Sequence, residues 1–168
     1  MKIFVTKEYF DKSQQRIREL QDRLTKIRID KTAAYTQDTN TWHDNFAYEH
    51  LAREEKQTEK LVADLMADLD NMFVVPRNAP VTTEMVGLYC WVYVTQENET
   101  TGARAQCKLG VVPLGAEDIS RQMYAYNMPL VHPLVGLYVG DETTVCVPSG
   151  EIHMTIQSIE PIQPQEQK

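Results

Sequence analysis

Residues 36–56, TQDTNTWHDNFAYEHLAREEK, decide how this chain is read. They lie between two segments with helical apolar spacing and break the pattern of both. Asp38, Asn40, Thr41, Asp44 and Asn45 make a polar turn, and a helix starts directly after it. If the flanking segments pair, this turn is the tip of a long helical hairpin. Carboxylates carried there are remote from any core, which points to action on a partner and not to a self-contained pocket.

Upstream of the turn, residues 8–35 read as a helix. Ile17, Leu20, Leu24 and Ile27 step by three, four and three, the spacing of a coiled-coil seam that weakens to Lys31 and Ala34 near the tip. Downstream, residues 44–72 read as the return helix. Tyr48, Leu51, Leu61, Leu65, Leu69 and Met72 fall near one face, with a polar gap at Glu55 and Thr58. Asp44 is placed to cap the N-terminus of that helix, where a carboxylate accepts orphan amides. Charge separates the arms as well. Residues 12–31 hold seven Lys/Arg against three acids, and residues 38–70 hold nine acids against three bases. That polarity favours antiparallel pairing and leaves a basic flank suited to phosphate.

The totals exclude several classes. The chain of 168 residues carries a net charge of −7, with 42% hydrophobic and 24% charged residues, values of a globular protein and not of a disordered one. It has no apolar run of membrane-spanning length, and MKIFVTKEYF is not a signal peptide, so the expected location is cytoplasmic. Cys90, Cys107 and Cys146 all lie in β-like segments without a CxxC pair. They read as buried free thiols and not as metal ligands.

The second half has a different texture. PRNAPVTTE (76–84) reads as a linker. GLYCWVYVTQ (87–96) and ARAQCKLGVVPL (103–114) read as strands, and TTVCVP (143–148) with EIHMTIQSIEPI (151–162) as a hairpin. NMPLVHPLVGLYVG (127–140) reads as a loop plus a short helix packed on the sheet, and the tail QPQEQK as disordered. The expected class is α+β. Residues 1–75 form an antiparallel coiled-coil hairpin with an acidic tip, 76–84 a linker, and 85–168 a small antiparallel β-domain.

Three blocks then resemble the GreA/GreB family of bacterial transcript-cleavage factors: DNFAYEHLAREEK (44–56), MPLVHPLVGLYVGDE (128–142) and VPSGEIHMTIQSIEPI (147–162). Their order and spacing cover nearly the whole chain. The resemblance implies an FKBP-like β-domain, residues 85–168, that docks on bacterial RNA polymerase through Pro129 with Met128 and Leu130. It implies that the coiled coil enters the secondary channel and brings tip carboxylates to the catalytic Mg2+, where the polymerase itself hydrolyses the 3′ end of backtracked nascent RNA. On that reading the chain is not an enzyme, binds no cofactor stably, acts as a monomer and has no membrane partner. Asp44 assists catalysis through a transient metal contact shared with the polymerase, and Asp38 is a second possible ligand. Arg16, Arg23, Lys26 and Arg53 are the candidate RNA or polymerase contacts, of the sequence-blind phosphate type.

The tip departs from the family pattern of acid-x-x-acid-Asn. The matching window is Thr41-Trp42-His43-Asp44-Asn45. Asp44 keeps the second acid, but Thr41 replaces the first and supplies no charge for a hard cation. A factor that occupies the channel and modulates transcription without cleavage is therefore the alternative. A prolyl isomerase rests on fold analogy alone, and a generic coiled-coil adaptor predicts no polymerase binding.

Overall fold

The computed structural model describes residues 2–37, 45–98, 101–147 and 150–163. The contacts divide the chain into two units: Met1–Ile3 with Glu8–Phe73, and Phe4–Lys7 with Val74–Lys168.

The first unit is a helical hairpin. No Gly or Pro occurs before Pro76, so nothing in the backbone interrupts a helix. Helix α1 (Lys7–Gln37) has 31 residues and α2 (Phe46–Asp70) has 25, about 46 and 37 Å at 1.5 Å per residue. The arms run antiparallel, as the contacts nearest the turn show. Arg28 pairs with Glu55 and Glu59, Lys31 with Glu55, and the Tyr35 ring lies 5.9 Å from that of Tyr48. Ile17, Leu20, Leu24 and Ile27 are all buried, as the heptad spacing predicts. On α2 the seam is shifted from expectation. Its buried residues are Thr58 and Val62, while Leu61 is 43% exposed. The polar gap is therefore part of the seam. The Thr58 hydroxyl is satisfied by its own helix, donating 2.8 Å to the Glu54 carbonyl.

Strands β1 (Ile3–Val5) and β2 (Met72–Val74) form a two-stranded sheet. Within the second unit, Val5 bridges Leu114 in parallel; the Leu114 N–H donates to the Phe4 carbonyl at 3.0 Å and the Thr6 N–H to the Leu114 carbonyl at 2.8 Å. The Phe4 N–H also donates to the Tyr126 hydroxyl at 3.1 Å.

The main sheet comprises β3 (Cys90–Asn98), β4 (Arg104–Val112), β5 (Met123–Ala125), β6 (Glu142–Val147) and β7 (Gly150–Pro161), in the order β5-β4-β3-β7-β6. All neighbours are antiparallel except β4 and β5, a parallel pair that the sequence did not announce because β5 is three residues long. Each face carries its own cluster. Cys90, Val92, Val94, Leu109, Val111, Met154, Ile156 and Ile159 pack with Val131 and Leu134 on one side. Tyr89, Trp91, Val112, Met123 and Ile162 pack on the other. Alternation along β7 breaks at a bulge. Tyr93 pairs with Ser158 and Val94 with Ile156, so Gln157 is the extra residue and both Ile156 and Ile159 point to the same core. Residues 76–84 run along this unit, and Val81 packs against both clusters.

One expectation about the thiols is corrected. Cys90 is buried and Cys107 half-buried, but Cys146 is exposed, because β6 is an edge strand with one open face.

Candidate functional site

Two regions carry the predicted site residues. The first is the end of the hairpin. Asp38, Thr41, Trp42, His43 and Asp44 lie outside the described residues. Asn45 is described, and it corrects one expectation: Asn45, not Asp44, is the N-cap of α2. Its Oδ1 accepts the Tyr48 N–H at 2.9 Å. The same carboxamide donates from Nδ2 to the Ala34 carbonyl on α1 at 3.0 Å. An acceptor one residue nearer the helix makes the closer match to the orphan amides.

Below the tip, charge from the two arms meets. The Glu55 carboxylate accepts from Lys31 and, at 3.0 Å, from Arg28 Nε, while Arg28 Nη2 donates to Glu59 at 2.7 Å. The Glu55 side chain is only 14% exposed. The hydrogen bond from Lys31, then that from Arg28, holds its carboxyl below the usual carboxylate range. The same contacts raise Lys31 and Arg28. Arg23, farther from the turn on α1, donates to Glu54 at 2.6 Å. Sequence reading treated Glu55 as a gap in the seam. The signal for its role was present, since Lys31 ends the α1 seam and lies opposite it in an antiparallel register.

These pairs sort the candidate phosphate contacts. Arg23 is bound to Glu54, and Arg16 lies 3.7 Å from Glu19 on its own helix. Lys26 has no carboxylate partner among the described residues. Arg53 donates from Nε to the Glu49 carbonyl at 3.3 Å, which leaves its positive charge without a carboxylate partner among those residues.

Among the described residues no group of three or more His, Cys, Asp or Glu is assembled that could hold a metal ion. Two-metal hydrolysis asks for one or two hard oxygen ligands with the rest of the shell left open. Asp44 and Asp38 have that chemistry, and they sit in the chain between the ends of α1 and α2.

The second region is the loop at residues 127–140. The Met128 carbonyl accepts from Val131 at 3.0 Å and His132 at 2.8 Å, opening a short 3-10 turn at His132–Leu134. Val131 and Leu134 are fully buried, and Met128 and Leu130 pack half-buried on the same core. Pro129 between them is exposed. Anchors on both sides thus hold Pro129 outward on a backbone with little freedom. Sequence reading missed a neighbouring feature of this unit. Met85 bridges Tyr138, and the Val139 N–H donates to Glu84 at 3.2 Å, which presents Met85, Tyr138 and Val139 as exposed apolar side chains. The Gly140-Asp141 turn fixes this end, with Asp141 Oδ2 accepting the Tyr138 N–H at 2.8 Å.

The family model described as "Transcription elongation factor, GreA/GreB, C-term" matches residues 81–161. A transcription elongation factor GreA of Chlorobium phaeovibrioides is 21% identical over 159 residues, spanning 94% of this chain and 96% of that protein. Among solved structures, GreA factor homolog 1 (Gfh1) of Thermus thermophilus aligns at 18% identity over 95% of this chain and 99% of its own, with a TM-score of 0.41. A GreA/GreB elongation factor from Nitrosomonas europaea aligns at 26% identity over 64% and 91%, with a TM-score of 0.37. No helix of the described residues is long and apolar enough to cross a membrane. Residues 81–161 thus match the C-terminal model of the GreA/GreB transcription elongation factors, and nearly the whole chain is similar to a GreA protein.

Proposed function

We propose that this chain binds RNA polymerase through the loop around Pro129 and stimulates cleavage of backtracked RNA by bringing the Asp44 carboxylate to the polymerase's catalytic metal. The observation that carries the reading is the place of Asp44 in the chain. It directly precedes Asn45, whose side chain is bonded to both arms of a hairpin more than 30 Å long.

The chemistry asked of this chain is small. A magnesium ion held by the polymerase would supply the polarisation of the phosphodiester and the lowered pKa of bound water. Asp44, with Asp38 as a second donor, offers anionic oxygens that favour retention of a weakly held ion. Lys26 and Arg53 offer positive charge to phosphate, and the polymerase performs the hydrolysis.

Thr41 favours a second reading. It stands where the family has its first tip acid, so one of two charged ligands is missing and channel occupation without cleavage is the rival outcome. The test is a backtracked elongation complex with end-labelled RNA and magnesium, to which wild type, Asp44→Ala and Thr41→Glu are added. RNA shortening by wild type that Asp44→Ala abolishes supports the first reading. Polymerase binding without shortening by wild type, with activity appearing in Thr41→Glu, supports the second. No polymerase binding by any of the three removes both.

A further inference from the structure

The Asn45 carboxamide is bonded at once to the end of one helix and the start of the other. Helix α1 ends at Gln37, so the Ala34 carbonyl lies in its last turn. Helix α2 starts at Phe46, so the Tyr48 amide is among the first four that lack an intrahelical acceptor. Asn45 Nδ2 serves the first at 3.0 Å and Oδ1 serves the second at 2.9 Å. An acceptor on one arm and a donor on the other are thus bonded by one side chain. A carboxylate cannot do this, because it only accepts. A serine hydroxyl caps α2 but lacks the second arm of an amide. The Tyr35 and Tyr48 rings, 5.9 Å apart, pack across the same end of the hairpin.

We propose that Asn45 is a positioning residue: it ties the last turn of α1 to the first turn of α2 and so fixes the chain ends between which Asp44 is carried. The effect on RNA rests on the tip-carboxylate reading above; the tie itself does not. If Asn45 were only a helix cap, Asp and Ser would replace it without loss, since all three cap equally well. If it ties the arms, both replacements fail, and they fail alike although only one adds charge.

The experiment uses the full chain as wild type, Asn45→Asp and Asn45→Ser. Amide hydrogen exchange is followed over 30–37 and 46–52, and RNA cleavage and polymerase Kd are measured beside it. The expected result is exchange at least about ten-fold faster in the last turn of α1, with the first turn of α2 unchanged. Cleavage falls about ten-fold or more, with a raised magnesium requirement and a Kd within about two-fold, since small misplacements of a reacting group cost rate more than binding. Unchanged exchange over 30–37 in both variants overturns the tie. Faster exchange with wild-type cleavage overturns the positioning role. Should wild type itself leave RNA intact, the cleavage reading fails, and exchange alone then upholds or overturns the tie.

Discussion

Replacing Thr58 by valine is expected to stabilise the hairpin. Thr58 lies in the seam and is only 7% exposed, so a methyl group in place of its hydroxyl is buried almost completely. One buried carbon contributes about 0.8 kcal/mol. The hydroxyl's bond goes to the Glu54 carbonyl, which the helix already provides with a backbone donor, so deleting it orphans nothing. Both residues are β-branched and have similar helix propensity. The net expectation is a gain of about 0.5–1 kcal/mol. Urea unfolding followed at 222 nm reads this change, with the slope unchanged and the midpoint raised. Leu61→Ala serves as the register control. At 43% exposure it should cost less than about 1 kcal/mol. A loss above about 1 kcal/mol for Thr58→Val would refute the reasoning and show that the hydroxyl serves a partner across the seam. A large loss for Leu61→Ala would refute the seam assignment.

Three further outcomes are expected. Glu55 has a depressed pKa when folded, so its contribution is full above the ordinary value near 4.5 and is lost as pH falls through the folded value; thermal melts below pH 4.5 should show Glu55→Gln less acid-sensitive than wild type. Gly110→Ala should destabilise the β-unit by about 1–3 kcal/mol, read by near-ultraviolet dichroism, because the new Cβ meets Trp91 Cζ3 at 2.8 Å and the Met123 backbone at 3.2 Å. Alkylation at pH 8 followed by mass mapping should modify Cys146 first, whereas Cys90, buried with its thiol pushed up to about 11, reacts only on unfolding.

Much of this fold was legible because its strongest signals are periodic. Ile17, Leu20, Leu24 and Ile27 repeat at the spacing that only a helix seam requires, and all four are buried. Glycine and proline distribution separated helix from sheet at Pro76. The failures came where polar residues do structural work. Thr58 and Glu55 looked like a gap because burial of a hydroxyl bonded to its own helix, or of a carboxylate met by Arg28 and Lys31, leaves no mark in hydropathy. Asp44 was taken for the cap of α2 because Asp and Asn are near-equal caps and adjacent in sequence; only the bond from Asn45 to Tyr48 separates them. The β7 bulge hid in EIHMTIQSIEPI, where an inserted Gln157 changes the face of every later residue. Parallel β5 escaped because three residues carry no period. Pro129 is singled out by resemblance and not by chemistry, and the exposed Met85, Tyr138 and Val139 were missed because an apolar residue in a loop is read as core.

The threading of Phe4–Lys7 into the β-unit has a consequence for how the protein is made. That unit is discontinuous: the chain supplies four residues, departs for the whole hairpin, and returns at Val74, with the Val75 N–H bonded to the Val5 carbonyl at 2.9 Å. Leu114, the partner of Val5 and Thr6, is synthesised more than a hundred residues later. On the ribosome the hairpin can close from local contacts alone, while the first strand waits unpaired for most of translation. A fragment beginning at residue 81 would have the family's matched segment yet lack that strand. The hairpin, in turn, is an excursion from the β-unit, so evolution can lengthen or shorten its arms by whole heptads, about 10 Å at a time, and leave the sheet untouched.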